Sequence, residues 1–208
     1  MPQGTKRGRA EEEDDVDVTE LQTFLKKEES SLRAGSKAVL NKELIARIEA
    51  TKALEQRIGE QASFAAALEA GVVKELHAEL SACFRIGVRL ESWLNTYTPP
   101  LSAGGNVGVS AEVQDGIYAN VHHLTQCCGD GLHRMLAFEK EHAVVRSKCT
   151  DDAVWERYKA VLEENQMHDL NKSAMTMRSD LLMIGRSICQ NLDHLRTDAK
   201  EESVNTMY

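Results

Sequence analysis

The chain predicts an all-α fold, an elongated up-down bundle of four antiparallel helices, and three observations carry that prediction. Proline occurs at positions 2, 99 and 100, so 3–98 and 101–208 run without the residue that breaks helices. Ala, Glu, Leu and Lys dominate, β-branched runs are absent, and aromatics make up 5% of the chain, so the core must be built from aliphatic side chains suited to helices. Apolar residues recur at alternating steps of three and four, the period of one helix face.

The first segment carries Leu21, Phe24 and Leu25, then Leu40, Leu44 and Ile48. Ala34, Gly35 and Ser36 mark the expected break or kink within it. The second offers Leu68, Val72, Leu76, Leu80 and Cys83, then Trp93 and Leu94, and stops before Pro99. The third steps through Val113, Ile117, Val121, Leu124, Cys128, Leu132 and Met135. Gly129 and Gly131 weaken that helix by about 1 kcal/mol each relative to alanine. The fourth has the clearest seam: Leu170, Ala174, Met177, Leu181, Ile184, Ile188, Leu192 and Leu195. Asp151 or Asp152 can cap its start, and it is expected to reach about residue 199.

Helices of about 35 to 45 residues would be about 50 to 65 Å long. Short connections make neighbours antiparallel. Several apolar residues fall off the main seams: Phe64, Ile86, Val88, Leu90, Val144, Val145, Met175 and Leu182. Side-by-side packing of subunits would give such residues a partner.

The bulk numbers exclude several classes. A net charge of −8 opposes non-specific nucleic-acid binding. It also disfavours an amphipathic protein lying on an anionic membrane. No apolar run approaches the roughly 18 residues needed to span a bilayer. The first residues have no signal-peptide pattern, so a cytoplasmic or nuclear location is expected. The five cysteines, Cys83, Cys127, Cys128, Cys149 and Cys189, contain no CxxC pair and are expected to be small buried residues in a reducing compartment. Residues 1–16 place Lys6, Arg7 and Arg9 ahead of an acidic run and are expected to be a solvated, disordered tail. The bundle is assigned to 17–200 and a flexible tail to 201–208.

One segment is conspicuously non-helical, the loop at 98–108. Pro99 and Pro100 begin it rigidly, and Gly104, Gly105 and Gly108 admit backbone conformations closed to other residues. A plain bundle turn needs only about 2 to 8 residues. By composition alone the segment reads as a connector.

Asn106-Val107-Gly108-Val109, placed after Pro99, resembles the activation loop of the 11S (REG) family of proteasome activators. In that family a proline is followed, at the same spacing, by Asn, an apolar residue, Gly and Val. The last helix is also similar, from Leu162 through Asp169, Arg178, Asn191 and Leu195. So is the chain's ending, Val204, Asn205, Thr206, Met207 and Tyr208. The likeness spans roughly residues 64–208. The stretch before the tail, 196–202, is net acidic where relatives are commonly basic, and Pro100 stands where several carry Arg.

The resemblance implies a mechanism. Seven subunits would form a ring around a channel. Each tail, Val204 to Tyr208, would enter a pocket between adjacent α-subunits of the 20S proteasome, with the Tyr208 carboxylate seeking a lysine there. Pro99, Gly105, Asn106, Val107 and Gly108 would form the loop that moves the α-subunit N-terminal turns and opens the gate. No ATP and no cofactor would be needed, and no phosphate-binding glycine motif is present. Seven weak tails acting together would bind tightly.

His122, His123, Cys127, Cys128 and His133 form a candidate metal cluster, and His123 and Cys127 at i, i+4 share one helix face. Cys128 lies on the core seam, however, and adjacent cysteines cannot both point at one ion without strain, so these residues are assigned to packing and no metal is expected. Glu163 and Glu164 are read as a solvated face. No nucleophile elbow, HExxH or P-loop occurs, so no enzyme is expected. The alternative from another class is a homo-oligomeric coiled-coil scaffold or adaptor, which needs the helices and neither the loop nor the tail.

Overall fold

A computed structural model describes residues 19–97 and 107–191. All of its elements are helical: α1 (Thr19–Ala38), a five-residue π-helical segment (Val39–Glu43), α2 (Leu44–Gly59), α3 (Phe64–Glu69), α4 (Val72–Tyr97), α5 (Val107–Lys148) and α6 (Asp152–Gln190). They form four antiparallel rods. The first joins α1 and α2 through the π-helical segment. α4 packs on it and on α5, α5 packs on α6, and α6 closes the square against α2. At 1.5 Å per residue, the 42 residues of α5 span about 63 Å.

The first rod does not break at Ala34, Gly35 and Ser36, which lie inside α1. The irregularity comes after them. The amide of Leu44 donates to the carbonyl of Val39, one residue further back than in an α-helix. That wider turn lets Val39 and Leu44, five apart, both enter the core, at 0% and 5% exposure. Leu40 and Ile48, expected on the seam, are half-buried beside it. Leu21, Phe24 and Leu25 are exposed, so the start of α1 lays no apolar face on the other described residues.

The second rod is interrupted. Gly71 takes a positive φ of 72°, a conformation that disfavours residues with a β-carbon, and it separates α3 from α4. Ser63 caps α3 by accepting from the amide of Ala66. In α3, Leu68 is exposed, whereas Phe64 is buried edge-on against Phe138 with ring centroids 4.8 Å apart. Phe64, Ile86 and Leu90 are therefore core residues and not a second surface. α4 touches both α5 and the first rod, so its apolar stripe is wider than one seam. Val88, Val144, Met175 and Leu182 do remain exposed, and Val145 is half-buried.

The fourth rod follows its period closely. Leu170, Ala174, Met177, Leu181, Ile184 and Ile188 are all buried, each aliphatic side chain contributing about 2 kcal/mol by leaving water. Asp151 is the cap, accepting from the amides of Ala153 at 2.8 Å and Val154 at 3.2 Å. The expected continuation through Leu192 and Leu195 lies outside the described residues. The cysteines divide: Cys83 and Cys128 are buried, Cys127 and Cys149 half-buried, Cys189 exposed. Among the described residues, no helix is long and apolar enough to cross a membrane.

Candidate functional site

Register between the rods decides what lies at each pole. α4 and α5 run antiparallel, with Glu91 beside His122 at 3.2 Å and Gly87 against Thr125. α5 and α6 also run antiparallel: Asn120 donates to Ser187 at 3.3 Å, His123 meets Asp180 at 3.1 Å, and Arg134 donates to Ser173 at 3.3 Å. Within each pair of helices the facing residue numbers sum to nearly the same value, so the alignment holds along the helices. Extended to the end, it sets Asn191 level with about residue 114 of α5. Tyr97 and Val107 flank the 98–106 segment at that same pole. The chain thus enters and leaves this segment, and passes beyond Asn191, at one end of the bundle.

That end is firmly built. Leu94 of α4, Ile117 of α5 and Ile188 of α6 stand at matching levels and are 4%, 2% and 3% exposed. Trp93, Val113 and Tyr118 pack on the same core. Tyr118 stacks on His122, with centroids 5.9 Å apart and planes within 8°. α6 closes with Asn191, whose side-chain amide donates to the carbonyl of Ser187 at 2.8 Å and whose backbone amide donates to Ile188 at 3.2 Å.

Of the residues singled out in the sequence, Pro99, Gly105 and Asn106 lie outside the described residues, as do Val204, Asn205, Thr206, Met207 and Tyr208. Val107 and Gly108 fall in the first turn of α5, so the helix takes in the last two residues of the expected 98–108 loop.

The opposite pole differs. α2 and α3 stop at the level of Phe138, while α5 continues to Lys148 and turns into α6, leaving a two-helix extension about 15 Å long. Trp155 is its anchor, with His142 edge-on at 4.9 Å and the Arg146 guanidinium 5.5 Å from the ring centroid. Arg146 also pairs with Asp152 across the turn at 3.1 Å.

The residues of the sequence-level metal cluster separate. Cys128 is fully buried, its thiol pushed up to about 12, chiefly by burial. His122 faces Glu91 and His133 is exposed. His123 and Cys127 stay together, with Cys127 Sγ 3.5 Å from Nε2 and 3.7 Å from Nδ1 of the ring. The structure adds Asp180 from α6, which no local pattern in the sequence connects to them. Burial holds the Asp180 carboxyl above its ordinary range, partly offset by His123.

Four long antiparallel helices, with Tyr97, Val107 and Asn191 at one pole, define the class: an elongated up-down bundle. The family model for the C-terminal region of the proteasome activator PA28 matches residues 68–205. The fold is similar to a crystal structure described as the 11S subunit of the Plasmodium falciparum proteasome, PA28. The TM-score is 0.69 at 11% identity, over 95% of this chain and 99% of that one. A sequence search of curated proteins gives no match. The chain belongs to the PA28 family of proteasome activators, the 11S family that its loop and last helix resemble.

Proposed function

We propose that the chain is a subunit of an ATP-independent activator of the 20S proteasome, working as a ring of seven copies in the cytoplasm, the nucleus or both. Each tail, Val204 to Tyr208, docks in a pocket between neighbouring α-subunits. The loop of Pro99, Gly105, Asn106, Val107 and Gly108 then presses on the α-subunit N-terminal turns and opens the gate to short peptides. The observation that carries this reading is the shared pole: Tyr97, Val107 and Asn191 belong to one end of a well-packed bundle. A rigid frame transmits an anchoring force at one point into a push at another only if both points sit on the same end. Exposed Val88, Met175, Leu182 and Met183 support packing of copies side by side. Tethering several weak tails in one ring raises their effective concentration and so their joint affinity.

The test is hydrolysis of a short fluorogenic peptide by 20S core with and without the protein. A several-fold rise is expected. Asn106→Trp is expected to keep core binding and lose stimulation, and deletion of Met207 and Tyr208 to lose both. Indifference to both changes, or no rise with any core, would favour a scaffold without a proteasome role.

A further inference from the structure

We propose that His123 and Cys127 of α5 and Asp180 of α6 form a zinc-binding site that clamps the middle of the α5–α6 pair. Among the described residues, this is where three potential ligands converge, all within 4.8 Å of one another. Two come from one helix at i, i+4, which places them on one face. The third arrives by the antiparallel register that also pairs Asn120 with Ser187 further along the same two helices.

The spacing fits the ion. Zinc lies about 2.0–2.1 Å from imidazole nitrogen or carboxylate oxygen and about 2.3 Å from thiolate sulfur. At tetrahedral angles these lengths separate nitrogen from oxygen by about 3.3 Å and nitrogen from sulfur by about 3.6 Å. The observed separations are 3.1 Å from Nδ1 of His123 to Oδ2 of Asp180 and 3.7 Å from the same nitrogen to Sγ of Cys127. The Nδ1–Oδ2 edge stands ready. Cys127 Sγ is nearly equidistant from Nδ1 and Nε2, at 3.7 and 3.5 Å, so it lies beside the ring, and coordination requires the Cys127 side chain to rotate towards the Nδ1 lone pair.

The donor set selects the metal. A thiolate beside an imidazole and one carboxylate suits zinc and its neighbours in the transition series, and is wrong for magnesium or calcium, which take oxygen ligands. Charge points the same way. The Asp180 side chain is 5% exposed, yet the partner it meets is an imidazole that is 54% exposed. A buried carboxylate is normally paired with a full charge or a metal. Burial holds the Cys127 thiol above its ordinary range, Asp180 and Asp130 push it the same way, and Arg134 and Lys172 oppose them, so the ion itself must draw off the thiol proton. The exposed edge of His123 leaves a path for the ion and a fourth position for water. On binding, the Cys127 thiol gives its proton to solvent as the Zn–S bond forms.

The competing account is a plain hydrogen bond between His123 and Asp180 that happens to lie near a thiol. The experiment uses the full chain, reduced and freed of metal by a chelator, titrated with Zn²⁺ and separately with Co²⁺. One ion per subunit is expected, with low-micromolar affinity or better, a thiolate-to-cobalt charge-transfer band, and a raised unfolding temperature on adding Zn²⁺. Cys127→Ser is expected to abolish the band and weaken Zn²⁺ about 100-fold, Asp180→Asn to weaken it at least about 10-fold, and Cys189→Ser to change neither. His123→Gln serves as the third ligand variant should Asp180→Asn disturb folding, as judged by circular dichroism. The proposal is overturned if the wild type shows no saturable binding, or if affinity and band survive Cys127→Ser or His123→Gln.

Discussion

Replacing Gly87 with alanine tests how closely α4 and α5 approach. A β-carbon built there would lie 2.4 Å from Oγ1 of Thr125 and 3.4 and 3.5 Å from that residue's Cβ and Cα. The hydroxyl cannot move aside freely, because it donates to the carbonyl of Val121 at 3.2 Å in a buried setting. Three effects set the sign. Alanine is about 1 kcal/mol better than glycine inside a helix. Forcing a methyl into a packed interface costs about 1–3 kcal/mol. Losing the Thr125 hydrogen bond adds about 1 kcal/mol. Packing wins, and the variant is expected to be less stable by about 2 kcal/mol, a fall of about 4–8 °C in unfolding temperature for a chain of this size. Urea unfolding at fixed subunit concentration is the assay, since association would shift the midpoint. Two controls isolate the cause. In a Thr125→Ala background, Gly87→Ala is expected to cost nothing. Gly116→Ala, in the same interhelical system but with nothing within 4 Å, is expected to stabilise by about 1 kcal/mol. A Gly87→Ala protein as stable as the wild type, or a penalty that persists without the Thr125 side chain, would refute the argument.

Two further predictions concern charge and capping. Arg47 donates to Glu79 at 2.7 Å, and the Glu79 side chain is 10% exposed against 33% for Arg47. Burial raises the Glu79 carboxyl above its ordinary range, and Arg47 is the chief offset. Arg47→Ala leaves that charge stranded and is expected to cost about 2 kcal/mol at pH 8, less than a fully buried pair because water reaches Arg47. A raised folded-state carboxyl binds protons more tightly than the unfolded chain, so its penalty is complete above the folded value and fades as pH falls towards the ordinary carboxylate range. Urea midpoints at pH 8 and pH 5 should therefore converge with the wild type's at the lower pH, and an equal loss at both would count against it. Asp151→Ala removes the acceptor for two amides at the start of α6 and is expected to cost about 1 kcal/mol, seen as faster hydrogen exchange at Ala153 and Val154. Unchanged exchange there would show that the cap contributes nothing.

Much of the core was legible because a helix repeats every 3.6 residues and one face of α6 meets its neighbours along its length. Leu170 to Ile188 read as a seam and are buried as one. The same rule misplaced Ile86 and Leu90, since α4 is contacted on two sides and a single-seam reading treats the second side as surface, and it misplaced Phe64, which α3 sets against Phe138. It also missed the π-turn, because a period of 3.6 cannot hold Val39 and Leu44 on one face, and only an extra residue in the turn can. The glycines of α5 read as weak points in a helix. In the folded chain Gly131 lets Leu80 approach, with both its δ-methyls 3.1 Å from where a β-carbon would sit.

By itself the sequence determined helical content, the number of rods and the residues that resemble a family's working parts. These are local properties, carried by periodicity, proline and glycine, and the order of short motifs along the chain. What the tertiary structure alone decided is which residues meet. Asp180 stands 57 positions from His123 in the chain and 3.1 Å from it in space. Tyr97, Val107 and Asn191 share a pole because the register of three helices, set by side chains that interdigitate along their whole length, aligns their ends.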